Sequence, residues 1–307
     1  SSAASDVYKR QTVDQVGAYV INYYSYLQNS RQQSLYHDKN WRSGMTLNDN
    51  NTDNLFSQTG DLDYFAGEKQ VPSGKNFQTY TSRARVWNWL LEQILPKEEA
   101  GSIQGDKSIL SHYIGEAYFF RALAYYQALV RYGDFPIIDE VLPDDQAILK
   151  ELSQRAPRNE VARFILKDLD TAISRLKDQG FQNNQRINKQ TAQLLKSRVA
   201  LFEATFEKYH KGTGRVPGDD TWPGKDMEYN QGKTFDIAGE INFFLTEAMS
   251  AAKAVADHCT LTGNSHQMNP VLGQTSGWNP YFDMFSQEDL SSISEVCLLY
   301  TSDAADE

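Results

Sequence analysis

The sequence predicts an all-α protein, mostly helical with long loops and at most a short hairpin, arranged as a tetratricopeptide-like scaffold of helix pairs. Three observations predict it. Six segments repeat apolar side chains at three- and four-residue spacing, the period of one helix face. The most apolar of them, Ser108 to Tyr132, has Leu110, Ile114, Ala117, Phe120, Ala124 and Ala128 on one side and Phe119, Ala122, Tyr125, Leu129 and Val130 around the other. A helix apolar on nearly every face belongs inside a fold. At ~1.5 Å per residue it spans on the order of 35 Å, enough to cross a domain as a central rod. Third, consecutive segments form two pairs, 108–132 with 158–178 and 189–209 with 239–258, as in stacked helical repeats. The strict repeat consensus is absent, and the loops are too long for a repeat of about 34 residues.

The elements follow in order. Residues 12–29 place Val16, Tyr19, Val20, Tyr23, Tyr24 and Leu27 on one stripe, a first helix despite Gly17. From Ser30 to Asn76 periodicity disappears and Asn, Asp, Gly, Ser and Gln dominate, which reads as a long loop. Phe77 to Leu95 is a second helix expected to stop before Pro96, and a polar linker then leads into the rod. Gly133 stops the rod, Pro136 prevents it from restarting, and Phe135 to Leu142 suits a short strand or extended turn. Pro157 and Arg158 open the next helix, with Gly180 as its stop, and Asn188 caps a helix from Lys189 to Tyr209. A Gly/Pro-rich insertion, Lys211 to Lys233, precedes a last helix from Gly239 to His258.

Composition narrows the partners. A net charge of −10 argues against nucleic acid and anionic membrane surfaces, and no run of about 18 apolar residues exists to span a bilayer. Aromatic residues make up 12% of the chain, which suits either stacking against ring-shaped ligands or a Tyr-rich helix core. Residues 1–11 and 297–307 resemble translated sequencing adapter and are set aside as non-native; without their four carboxylates and two cations the charge is still −8. Residues 12–296 then form the domain. Only Cys259 remains in it, so a disulfide framework is excluded.

The segment Gly115 to Ile138, GEAYFFRALAYYQALVRYGDFPII, resembles the "gEa.flRA..y..L...yGdvPl" segment of the SusD/RagB family in order and spacing. The resemblance implies a helical, tetratricopeptide-like scaffold whose irregular excursions carry the ligand surface. It implies a non-catalytic outer-membrane lipoprotein on the cell surface, which binds oligosaccharide or polysaccharide beside a SusC-like TonB-dependent transporter. Family members are longer at both ends and carry an N-terminal lipid anchor, so residues 12–296 are expected to be the N-terminal part of such a domain.

The candidate ligand residues lie mainly in the first loop. Asp49, Asn50, Asn51 and Asp53 supply short acceptors and donors for sugar hydroxyls; Trp41, Tyr80, Trp87 and Trp89 are candidate stacking platforms. The same stretch resembles the family's "sDn" loop, and it also suits a turn in which Asp and Asn bond their own backbone. Asp49, Asn51 and Asp53 have a calcium-loop spacing, but Asn54 and Gly60 stand where an EF-hand needs Gly and Glu. No cofactor is expected, and a structural calcium ion remains only as an irregular alternative.

Structural roles are expected for Glu116, Arg121, Gly133, Asp134 and Pro136: Arg121, in the apolar belt of the rod, requires a carboxylate or carbonyls, and Asp134 suits a turn. Trp222 is expected to pack its loop onto the domain, while Trp278, Tyr281, Phe282 and Phe285 form a further aromatic cluster. No catalytic or metal-binding motif stands out, and five scattered histidines show no ligand spacing. Two alternatives to glycan binding remain: a helical-repeat module that binds protein, and a glycoside hydrolase using a facing carboxylate pair.

Overall fold

The computed structural model describes residues 11–27, 76–143 and 145–299. Among them there is no β-strand, only two isolated bridges, Thr12 with Gln104 and Phe135 with Ala156. The long helices are α1 (Val13–Ile21), α2 (Asn76–Glu99), α3 (Lys107–Tyr132), α5 (Arg158–Arg175), α6 (Lys189–His210) and α7 (Ile237–His258). Two short ones, α4 (Gln146–Leu152) and α8 (Pro280–Ser286), sit in stretches without a clear helical period. Helices α2, α3, α5, α6 and α7 pack each against the next, and α1 lies on α3. Both helix pairs expected from the periodicity, α3 with α5 and α6 with α7, are in contact.

Local chemistry sets the boundaries. Thr12 and Gln15 form a capping box that starts α1, which is shorter than its stripe: a 3-10 turn, Tyr24–Leu27, follows it. Gly17 presses on the ring of Tyr113, where a Cβ would lie 2.5 Å from the nearest ring carbon, so it is a contact point between α1 and α3. Asp106 caps α3, and Gly133, at φ 72°, ends it by donating its N–H to the Leu129 carbonyl. Asn188 and Asp236 cap α6 and α7.

Helix α2 continues through Pro96 to Glu99, past its expected stop. Proline removes one hydrogen bond, the one that would reach the carbonyl of Glu92; Glu92 and Pro96 are both exposed, so water can serve that carbonyl.

Three buried ion pairs join successive parts of the array. Arg121 on α3 grips Asp168 on α5 with two bonds of 2.7 and 2.8 Å. Arg158 on α5 does the same to Glu203 on α6, at 2.9 Å twice, and its guanidinium lies 3.4 Å from the Phe206 ring centre. Arg186, in the turn before α6, holds Glu116 on α3. Each pairing leaves a charge satisfied inside the core and fixes the register of one helix on another.

Candidate functional site

Trp41, Asp49, Asn50, Asn51 and Asp53 lie outside the described residues, and with them the irregular calcium alternative. Trp87 is a correction. It is fully buried, stacked on Phe120 at 5.0 Å and edge-on to Tyr23, so it has no face to offer a ligand. The turn of α2 that carries it also carries Ala84, Leu90 and Leu91 into the core. Tyr80 and Trp89 are half-buried; Tyr80 sets its edge on Tyr132, and Trp89 packs near Tyr19.

The motif residues occupy the framework. Glu116 takes Arg186, the Tyr24 hydroxyl and His112, with no solvent access. Arg121 also donates to the Asn88 side chain and the Asp139 carbonyl. Asp134 joins two segments: one oxygen accepts the Arg158 backbone N–H, and the other accepts Trp222 Nε1 at 2.8 Å. Trp222 therefore seals the insertion onto the scaffold and is buried. Pro136 is buried beside the Phe135–Ala156 bridge.

Two clefts are open. The first, about 430 Å³, lies between α2 and the extended segment and is lined by Ser82, Arg85, Asn88, Tyr125, Ile138 and Glu140. Its inner polar groups are already matched: Asn88 donates to the Ile138 and Glu140 carbonyls, and the Tyr125 hydroxyl bonds the Ile138 backbone. The second, about 400 Å³, is the better ligand surface, because its rings face solvent. Trp278, Tyr281, Phe282 and Phe285 line it with Asn264, Gln267 and Met268, and Phe285 is 71% exposed.

Its frame is built around Asn279. This buried amide donates to Asn264 Oδ1 and the Gln267 carbonyl, and accepts from the Tyr281 N–H at the start of α8 and from Ser265 N–H. Ser265 Oγ adds a bond to the Trp278 carbonyl. The rings pair as Trp278 with Phe282 at 4.7 Å and Tyr281 with Phe285 at 5.0 Å. Flat apolar faces beside amides suit a ligand with hydroxyls around weakly apolar rings. Sequence reasoning noted this cluster without assigning it a ligand; the signal is four aromatics within WNPYFDMF.

The acidic residues are placed differently. Glu203 and Glu207 face one another on α6, both buried. Burial, then the Glu203 charge, pushes the Glu207 carboxyl up to about 9. Among the described residues, no group of three His, Cys, Asp or Glu could hold a metal ion, and no helix is long and apolar enough to cross a membrane.

The fold and site define a helix-pair scaffold that carries an open, aromatic-lined cleft on its loops. The chain belongs to the SusD-like family: the family model described as "Starch-binding associating with outer membrane" matches residues 2–201, more than half the chain. Over 109 residues the chain is 33% identical to SusD-like protein P2 of Formosa agariphila, a match covering 36% of this chain and 21% of that relative. A SusD-like protein from Bacteroides fragilis is 30% identical, with 46% of this chain and 26% of that one covered at a TM-score of 0.36. A SusD homolog from Bacteroides thetaiotaomicron is 15% identical, with 83% and 42% covered at a TM-score of 0.48. The chain thus spans less than half the length of each of these relatives.

Proposed function

We propose that this chain supplies the scaffold and part of the ligand surface of a non-catalytic glycan-binding protein at the cell surface. It captures oligosaccharide and passes it to a SusC-like TonB-dependent transporter, and in the full-length protein an N-terminal lipid holds it at the outer membrane. Asp49, Asn50, Asn51 and Asp53, with Trp41, contribute further contacts to the same ligand. The observation that carries the reading is the solvent-facing aromatic cleft at 264–285, in a chain whose family is described as starch-binding. A module that binds only protein was expected to pack the aromatics of loops 30–76 and 211–233 inward and leave no concave aromatic face. Trp222 does pack inward, residues 30–75 lie outside the described residues, and the open aromatic cleft at 264–285 favours the glycan reading.

The carboxylates support binding without hydrolysis. Hydrolysis requires an acid and a second carboxylate about 5 to 10 Å apart, facing the sugar. Glu207, whose carboxyl is pushed up, and the facing Glu203 have no solvent access, and Glu203 is already held by Arg158. Calorimetry and affinity gels with starch, plant and microbial glycans test the proposal. Binding without release of reducing sugar is expected. No retention by any glycan would refute it, and sugar release abolished by altering a facing carboxylate pair would make the protein a hydrolase.

A further inference from the structure

The second cleft is electrically uniform. Its described lining consists of Asn264, His266, Gln267, Met268, Asn279 and four aromatic side chains, with no Lys, Arg, Asp or Glu among them. The nearby Asp283 is not part of that lining, and its Oδ2 accepts the Gly277 N–H. The amides divide into two kinds. Asn279 is committed on both its atoms to holding the loop. At the rim, Asn264 uses its Oδ1 for Asn279 and the His266 N–H, and Gln267 uses its Nε2 for the Asn269 carbonyl. That leaves Asn264 Nδ2 as a donor and Gln267 Oε1 as an acceptor, neither with a protein partner among the described residues.

We infer that this cleft selects uncharged sugar chains over acidic ones, an inference that rests on the glycan-binding reading above. A hydroxyl both donates and accepts, so one open donor and one open acceptor beside ring faces can serve neighbouring hydroxyls of a pyranose stacked on the aromatic floor. A carboxylate or sulfate in the same place loses water and meets no cation in the described lining. The protein's net charge of −10 adds a long-range field that repels anions before they dock. Discrimination thus comes from what an acidic group forfeits on entry, while neutral chains keep both stacking and hydrogen bonds.

The test uses matched ligands with the whole chain. Cellohexaose and maltohexaose, and neutral hits from a glycan array, are each titrated beside their C6-oxidised uronate counterparts at pH 8 in low and high salt. The expected result is that a neutral chain binds and its oxidised counterpart binds roughly tenfold or more weakly, with the gap narrowing as salt screens the field. Gln267→Lys, at an exposed position, should narrow the gap further by raising affinity for the oxidised chain. Equal or tighter binding of oxidised chains by the unaltered protein would overturn the charge selectivity and leave glycan binding intact. Failure of every neutral and acidic chain would overturn both.

Discussion

Arg186 and Glu116 form a two-pronged buried ion pair, Nε to Oε1 at 3.0 Å and Nη2 to Oε2 at 2.5 Å, that ties the turn before α6 to the middle of α3. The guanidinium also lies 4.4 Å from the Tyr113 ring centre and donates to the Gly17 carbonyl on α1. One carboxylate thereby assembles three parts of the chain.

Replacing that carboxylate should expose the dependence. Glu116→Gln leaves Arg186 buried without a counter-charge, at a cost of about 3–5 kcal/mol in denaturant unfolding. Burial alone pushes the Glu116 carboxyl up, but the Arg186 charge and the His112 and Arg186 hydrogen bonds together hold it below its ordinary 4.5. Its folded value is depressed, so the stability it contributes is present above pH 4.5 and is lost as pH falls below that. Glu116→Gln should flatten this acid limb, and an unchanged limb would refute the assignment.

Glu207 should behave in the opposite sense. Its folded value, about 9, stands above the unfolded 4.5, so the native state retains a proton that the unfolded chain releases. Stability is full below pH 4.5 and is lost as pH rises towards 9. Glu207→Gln has no proton to lose and should gain on the unaltered protein across that window. One pKa unit corresponds to roughly 1.4 kcal/mol, so the gain is on the order of a few kcal/mol. Thermal melts at several pH values check this; a constant difference between the two proteins from pH 5 to 9 would contradict it.

At the contact of α1 with α3, Gly17→Ala should cost about 1–3 kcal/mol, because the added methyl meets the Tyr113 ring and must displace it. Denaturant midpoints measure the loss. A change within experimental scatter would mean that α1 shifts on α3 without penalty.

Two tryptophans should separate stability from binding. Trp87→Ala empties the core against Phe120 and should lower stability by about 3–5 kcal/mol. Trp278→Ala removes a platform beside Phe282 and should weaken glycan binding about tenfold or more, with the melting temperature nearly unchanged. Calorimetry paired with thermal melts reads both, and a Trp278→Ala protein that binds glycan normally would remove the cleft from the site.

The scaffold was legible because its signal is local. Apolar spacing in α3, α5, α6 and α7, with Asn188 as a cap and Gly133 as a stop, sets helix existence and face within a single segment. Where propensity and tertiary context disagreed, context prevailed: α2 ran through Pro96 because that turn faces water. Short α4 and α8 escaped notice because seven residues hold too few turns for a period to show.

By itself the sequence determined a helical protein with α3 at its centre, its helix pairs and, through GEAYFFRALAYYQALVRYGDFPII, its family. It also showed that Arg121 required a partner. Only the tertiary structure named Asp168 as that partner, 47 positions away, and Arg186 as the partner of Glu116, 70 positions away. It also decided which aromatics are core and which are surface. Trp87 and Trp278 are the same residue type, and periodicity describes one helix without saying what covers it. Exposure is a property of the packing partner: Phe120 stands over Trp87, while Phe282 leaves the cleft at Trp278 open to solvent.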